Sequence, residues 1–233
     1  MPMRERFERK LTELRDEILK MGSMVDEELK LALDALAKLD VDLARQVYEA
    51  DKAVNAKRFA IEEECFALIV TQQPAARDLR AIVAVMNMIV DLERMGDQAK
   101  GIAKVVPHMI QYPGQSQPAE LKQMGDMVGV MLRQSMTAYA HHNVDLAKLV
   151  TKQDDEVDKL YARLFTQIMH QMAETGNPDR VEASYESLRA ARELERYGDL
   201  ATNIAERVIY IATGSLHEAN VDPDDILDQY LDQ

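Results

Sequence analysis

The sequence predicts an all-α protein made of two tandem, duplicated antiparallel three-helix bundles, with six long helices in total. Large apolar residues recur at steps of three and four through most of the 233 residues, which is the spacing of one helix face. The chain has only 9 Gly, 7 Pro and 5% aromatic residues, whereas sheet proteins favour aromatic and turn residues. A six-residue stretch, Leu-Glu-Arg-Met/Tyr-Gly-Asp, occurs at 92–97 and again at 194–199, a separation of 102 residues. This repetition indicates two copies of one structural unit.

The first two helices are predicted from apolar spacing and from residues that cap or break helices. The first helix follows this spacing from Leu11 to Leu39. Asp40 or Asp42 is expected to cap the second helix, whose apolar residues recur at seven-residue spacing. The second helix should end near Pro74, because the residue before a proline disfavours helical geometry.

The third helix and the linker after it complete the first repeat. The helix is predicted from Ala76 to Val106, and Pro107 should end it because proline cannot donate the helical hydrogen bond. The segment 112–118 contains two Pro, one Gly and no large aliphatic residue. We therefore predict the boundary between the two halves in this segment.

The second half repeats the plan of the first. Its three predicted helices are Glu120–His141, Asn143–Glu174 and Asp179–Ala212. The predicted domains are a first bundle at 1–110, a second bundle at 119–214, and an acidic C-terminal tail at 215–233 with a short helix at 226–231. A single continuous coiled coil fits less well, because Pro and Gly turns recur at corresponding places in each half.

Composition and charge argue against several classes of protein. The net charge of −13 and the pI near 4.9 argue against a nucleic-acid binder, because the phosphate backbone would be repelled. The longest apolar run, 81–90, is far shorter than the ~20 residues of a membrane span, and the charged N-terminus is unlike a signal peptide. We therefore expect a cytoplasmic protein. The single cysteine, Cys65, lies in an apolar stripe and is expected to be a packed thiol.

Two acidic residues interrupt the apolar stripes of the second and fifth helices at the same place. Asp51 follows Val47 by one turn, and Asp154 follows Val150 by one turn, 103 residues later in the chain. Burying an ionised carboxylate alone is costly, so such groups are usually neutralised, paired or bound to a metal. We expect both carboxylates to face the core beside a positive charge.

Each of these two residues belongs to a group of four oxygen-bearing side chains with i, i+4 spacing. An antiparallel bundle would bring the pairs from neighbouring helices together as one cage in each half. The expected metal-binding residues are Asp51, Asn55, Glu93 and Asp97 in the first half and Asp154, Asp158, Glu195 and Asp199 in the second. Gly96 and Gly198 would let another group approach the helix closely. Oxygen ligands favour Mg²⁺, Mn²⁺, Ca²⁺ or iron, with Zn²⁺ less natural.

Charge pairing within the protein is the main alternative to a metal. Ion pairs from Asp51 to Arg94 and from Asp154 to Arg196 would neutralise the same carboxylates, and both arginines are also repeated. Asp91 and Glu193 are either additional ligands or solvated charges, and the solvated interpretation is preferred. The charge run Asp26–Glu28 is interpreted as a solvated helix face.

Taken together, these motifs resemble the PhoU family of phosphate-signalling regulators. The residues that carry the resemblance are Gln73–Arg80, the duplicated Glu-Arg-x-Gly-Asp, Asn203–Glu206, Asp51 and Asp154, and the similarity covers residues 5–213. The resemblance implies two tandem three-helix bundles whose E(D)xxxD pairs bind multinuclear clusters of metal ions (iron, Mn, Mg or Zn) through the eight side chains named above. Asn55 stands where the family pattern has a second acid, which implies weaker or different metal binding in the first half.

The same resemblance implies a regulatory function without catalysis. Such a protein would act in the cytoplasm as an adaptor between the ATPase subunit of the phosphate ABC transporter and a sensor histidine kinase. It would associate peripherally with these membrane complexes, form a homodimer, and negatively regulate the phosphate-starvation response, which contributes to phosphate homeostasis. The residues alone leave two alternatives open: a carboxylate-bridged metalloenzyme, and a passive helical scaffold whose core acids are salt-bridged.

Overall fold

The computed structural model describes residues 3–112 and 117–215, and these residues form six helices and no strand. The helices are α1 (Met3–Lys38), α2 (Val41–Gln72), α3 (Ala76–Met109), α4 (Ala119–His141), α5 (Val144–Glu174) and α6 (Pro178–Thr213). The all-α prediction is confirmed. Among the described helices, none is long and apolar enough to cross a membrane. The predicted tail after Ser215, with its short helix, lies outside the described residues.

Side-chain caps set the same geometry at corresponding joints of the two halves. Asp40 caps α2 by accepting hydrogen bonds from two backbone N–H groups of the first turn, at 2.8 and 3.0 Å. Asn143 caps α5 by accepting one such bond at 3.0 Å. The residues before the caps, Leu39 and His142, both have left-handed backbone geometry, with φ of 52° and 51°. The chain therefore reverses direction within a few residues at both joints.

Two predicted helix bounds differ from the structure by three residues or more. α1 begins at Met3 rather than Leu11, because Phe7, which is 6% exposed, extends the buried stripe towards the N-terminus. α3 continues through Pro107 to Met109, so the predicted end of this helix was wrong. A proline in the last turn removes one hydrogen bond, and the burial of Met109 stabilises the turn in spite of that loss.

The six helices form two three-helix bundles that share one continuous hydrophobic core. α1, α2 and α3 pack against one another, and α4, α5 and α6 do the same. α3 and α6 make the most extensive contact between the halves, and α1 also packs against α4. This arrangement places the duplicated motifs of α3 and α6 at the centre of the molecule. The domain bounds at 1–110 and 119–214 stay a prediction.

α3 and α6 run antiparallel across the interface between the halves. Near the start of α3, the Arg80 guanidinium lies 5.7 Å from the ring centre of Tyr210, which is close to the end of α6. Near the end of α3, Gly101 lies against the side chain of Glu193, which is in the first half of α6. Each of these helices therefore presents one side to its own bundle and another side to the opposite half.

Candidate metal centres

Asp51 on α2 and Asp154 on α5 face the core at corresponding places, as the sequence predicted. They are 6% and 1% exposed. Each lies against a glycine of a neighbouring helix: a Cβ atom at Gly96 would be 3.6 Å from Asp51 Oδ1, and one at Gly198 would be 3.1 Å from Asp154 Oδ1. The prediction that these glycines allow a close approach is confirmed. A Cβ atom at Gly198 would crowd Asp154, whereas one at Gly96 would make an ordinary van der Waals contact with Asp51.

The C-terminal acidic cluster, defined as Asp154, Asp158, Glu195 and Asp199, joins α5 to α6. One carboxylate oxygen from each of the three aspartates lies within 4.8 Å of the other two. Burial and then the charges of the other three members raise the pKa of Asp199 to about 7, against the opposing effect of Arg196. Burial and the charge of Asp158 also raise the pKa of Glu195. These carboxylates therefore destabilise one another's charged forms.

The C-terminal acidic cluster fits a hard metal ion. Oxygens that bind one ion with bond lengths of about 2.0–2.5 Å are at most about 4–5 Å apart, and the three aspartate oxygens lie within this limit. All of the acidic donors are carboxylate oxygens, and these favour Mg²⁺, Mn²⁺, Ca²⁺ or iron over metals that prefer sulfur. An ion at this place would offset the repulsion and link α5 to α6.

Thr202 adds a buried hydroxyl one turn beyond Asp199 on α6. It is 1% exposed, and its Oγ1 has no hydrogen-bond partner. A buried hydroxyl without a partner is costly and rare in native proteins. Because Thr202 follows Asp199 by one turn of α6, an ion bound at the cluster, or a water coordinated to it, is a candidate for the missing partner.

The N-terminal acidic cluster, defined as Glu28, Asp51 and Asp97, contains a cation that the protein itself supplies. The ammonium group of Lys100 donates hydrogen bonds to Asp51 Oδ2 at 2.7 Å and to Asp97 Oδ1 at 2.6 Å. The amide of Asn55 donates a further hydrogen bond to Asp51 Oδ2 at 3.2 Å. The two halves thus differ: one cluster has an internal cation at its centre, and the other has a neutral threonine at the corresponding position.

The ion pair predicted for Asp51 has a different cation in the structure. Arg94 is exposed, and Lys100 pairs with Asp51 instead. Lys100 lies one turn beyond Asp97, on the face of α3 that meets α2, whereas Arg94 lies on the solvent side of the same helix. Arg196, the counterpart of Arg94, opposes the rise in the pKa of Asp199, and its pairing with Asp154 stays a prediction.

Glu28 on α1 was predicted to be solvated, and that prediction was wrong. It is 1% exposed, and both of its carboxylate oxygens are buried without a hydrogen-bond partner. A Cβ atom at Gly96 would lie 3.0 Å from Glu28 Oε2. Burial and then the charge of Asp51 raise the pKa of Glu28 to about 8, against the opposing effect of Lys100. In the C-terminal half, Val128 occupies the corresponding place.

Three further acidic residues that were predicted to be solvated pack between helices instead. Asp26 is 8% exposed and pairs with Arg133 of α4 at 2.6 Å. Asp91 is 7% exposed and accepts a hydrogen bond from an asparagine of α6. Glu193 is half-buried against Gly101. All three lie on helix faces that meet the opposite half of the chain, which the spacing within one helix cannot reveal.

Seven of the eight predicted ligands lie at the two clusters. The eighth, Glu93, is half-buried one turn before Asp97 on α3, and it forms no ion pair with the described residues. Metal binding by any of the eight stays a prediction. Glu28, Lys100 and Thr202 were not among the eight predicted ligands.

Comparisons with known proteins agree in both halves of the chain. The sequence profile of the PhoU domain matches twice, at residues 18–106 and 121–208. The phosphate-specific transport system accessory protein PhoU homolog of Clostridium acetobutylicum is 36% identical over 218 residues, which cover 93% of this chain and 99% of the relative. The phosphate-specific transport system accessory protein PhoU of Escherichia coli is 33% identical over 208 residues, or 89% of this chain and 86% of the relative.

Two crystal structures show the same fold over nearly the whole chain. The phosphate transport system regulatory protein PhoU of Streptococcus pneumoniae has a TM-score of 0.85 and 32% sequence identity, covering 91% of this chain and 99% of that one. PhoU of Pseudomonas aeruginosa also has a TM-score of 0.85, with 34% identity, covering 90% of this chain and 100% of that one. The similarity therefore extends over both repeats.

Proposed function

The chain belongs to the PhoU family, and on that basis we propose that it restrains the phosphate-starvation response when phosphate is plentiful. In this proposal it works in the cytoplasm as a non-catalytic adaptor, and as a homodimer, between the ATPase subunit of a phosphate ABC transporter and a sensor histidine kinase. It associates with the membrane only through these partners. The observation that carries the proposal is the match of both repeats to relatives named as accessory proteins of phosphate-specific transport.

The proposal includes bound metal ions, of which iron, Mn, Mg and Zn are the candidates. The C-terminal acidic cluster is the first choice of site, because three of its oxygens have the spacing of ligands around one ion. An ion there would hold α5 and α6 at a fixed separation and so shape the surface offered to partners. Metal binding by the first-half residues Asp51, Asn55, Glu93 and Asp97 is a prediction from the sequence alone, and there the ammonium group of Lys100 already contacts Asp51 and Asp97.

The passive-scaffold alternative has one observation in its favour. Lys100 pairs with Asp51 and Asp97, as a salt-bridged core would require. That pairing concerns the N-terminal cluster alone. Variants of Asp154 and Asp199 therefore distinguish the passive-scaffold hypothesis from the metal-binding hypothesis. The metalloenzyme alternative predicts turnover, which assays of the metal-loaded protein with phosphate esters, peroxide and oxygen would detect.

The regulatory role is tested by deleting the gene in the organism that encodes it. Transcripts of phosphate-scavenging genes are expected to rise in phosphate-rich medium, and a plasmid copy of the wild-type gene is expected to restore repression. Unchanged transcripts in the deletion strain would contradict the proposed role.

The metal is tested in the same strain with matched variants. Asp154→Asn combined with Asp199→Asn should fail to restore repression, whereas Asp155→Asn, which changes an exposed neighbour on α5, should restore it. The ATPase subunit and the cytoplasmic domain of the kinase should each capture less of the purified double variant than of the purified Asp155→Asn variant. Full repression by the double variant would remove the metal from the proposal and leave the adaptor role standing.

A further inference from the structure

We propose that Lys100 is a built-in cation that takes, in the N-terminal acidic cluster, the place that a metal ion takes in the C-terminal one. Metal then loads only in the C-terminal half of the chain. This inference rests on the proposed metal centre at Asp154, Asp158 and Asp199, and it adds that Lys100 decides which of the two duplicated sites is a metal site.

The position of the Lys100 ammonium group carries the first step. Its Nζ atom bridges Asp51 and Asp97 at 2.7 and 2.6 Å, which are the short distances of charge-assisted hydrogen bonds. The lysine side chain is 19% exposed and the Asp51 side chain 9%, so the contact is largely shielded from water. A metal ion bridging the same two carboxylates would need the volume that the ammonium fills and would be repelled by its charge.

The second step is an internal comparison that the duplication supplies. Lys100 follows Asp97 by three residues, and Thr202 follows Asp199 by three residues, so the two occupy the same position in the two copies. Thr202 has a neutral hydroxyl, which is buried without a hydrogen-bond partner. The C-terminal half thus has an oxygen in need of a partner where the N-terminal half has a cation.

The predicted ligands also differ between the two halves in a way that disfavours metal binding in the N-terminal half. Asn55 stands where the C-terminal half has Asp158, so the N-terminal half has one carboxylate fewer among its predicted ligands. The amide of Asn55 donates to Asp51 Oδ2, the same oxygen that Lys100 contacts, and both groups therefore use a lone pair that a metal would need.

The test is the Mn²⁺ content of the full-length protein after chelation, reloading with excess Mn²⁺ and desalting, measured by elemental analysis and electron paramagnetic resonance. Wild-type protein should retain Mn²⁺, Asp154→Asn with Asp199→Asn should lose it, and Asp97→Asn should lose none. Asp97 is a suitable probe because its side chain is 47% exposed and its replacement should not prevent folding. Loss of Mn²⁺ from the Asp97→Asn variant would overturn the proposal.

An exchange of the two diverged residues tests the role of Lys100 directly. Lys100→Thr should acquire additional Mn²⁺ that persists when Asp154→Asn and Asp199→Asn are added, and Thr202→Lys should lose the Mn²⁺ of the C-terminal half. Circular dichroism on each variant confirms that the helices are retained. Lys100→Thr protein with wild-type Mn²⁺ content would overturn the proposal, even if the C-terminal metal centre is verified. Absence of Mn²⁺ from wild type and from every variant would overturn the metal centre of the proposed function as well.

Discussion

Replacing Glu28 with Gln should make the protein more stable, and increasingly so as the pH rises. Glu28 is 1% exposed, and its oxygens have no hydrogen-bond partner in the structure. Its pKa rises from the ordinary value of 4.5 to about 8, first because of burial and then because of Asp51. At neutral pH the folded protein therefore holds a proton on Glu28 that the unfolded chain has released. Glutamine has the same shape and is neutral in both states.

The magnitude follows from the two pKa values. Between pH 4.5 and pH 8 the folded state binds the additional proton, so the free energy of unfolding of the wild type falls as the pH rises through this window. At 1.36 kcal/mol for each pH unit, the cost relative to the variant is about 1 kcal/mol at pH 5 and about 3 kcal/mol at pH 7. The cost levels off above pH 8, where the folded state releases its proton too.

The assay is urea denaturation followed by far-ultraviolet circular dichroism, for wild type and Glu28→Gln, at pH 5, 6, 7, 8 and 9 in the presence of a chelator. Groups that do not interact with Glu28 affect both proteins alike, so the difference between the two unfolding free energies reports Glu28 together with its coupling to Asp51, Asp97 and Lys100. That difference should grow by about 2–4 kcal/mol from pH 5 to pH 9. Parallel pH profiles for the two proteins would show that Glu28 is not held in its neutral form by burial.

Three other predictions concern different parts of the molecule. Gly198→Ala should lower Mn²⁺ retention and destabilise the fold by about 1 kcal/mol, because its Cβ atom would lie 3.1 Å from Asp154 Oδ1 and overpacking outweighs the gain in helix propensity. Gly176→Ala is the control, because its added Cβ atom would have no neighbouring atom within 4 Å. Equal Mn²⁺ retention by the two variants would contradict the reasoning. Asp91→Ala should lower the free energy of unfolding by about 1–3 kcal/mol, because it removes a buried hydrogen bond between α3 and α6, and should leave Mn²⁺ content unchanged; an unaltered urea midpoint would refute this. Cys65 is fully buried and burial raises its pKa to about 12, so an aromatic disulfide reagent should modify it at least ~100-fold more slowly in the native protein than in urea, and equal rates would show that the thiol is accessible.

The parts of the fold that the sequence predicted depend on local signals. Helical spacing and caps such as Asp40 lie within a few residues of the structure they determine, and all six helices were found from them. Asp51 and Asp154 were recognised as buried because each replaces an apolar residue in a stripe that belongs to its own helix. Repetition strengthened both inferences, since the same exception occurs at the same place in each half.

The parts that the sequence did not predict depend on how one helix faces another. Glu28 follows Val25 by three residues and Met21 by seven, so the apolar spacing of α1 already placed it on the buried face, but the charge run around it suggested solvent. Lys100 and Arg94 lie on the same helix, and only the orientation of α3 relative to α2 determines which of them meets Asp51. Asp91 is buried because one repeat packs on the other, and this packing cannot be predicted from the residue spacing within one repeat.

α3 and α6 pack closely along their antiparallel contact, so a movement of one helix affects the other. Glu93 and Glu195 each stand two residues after a side chain, Asp91 or Glu193, that lies against the opposite half. Binding of an ion by Glu195 would rotate α6 slightly about its own axis. Because the interface is close-packed, this rotation would move the Glu193 side chain against Gly101 and displace α3. Filling or emptying the C-terminal site would therefore displace residues of α3 in the opposite half of the molecule.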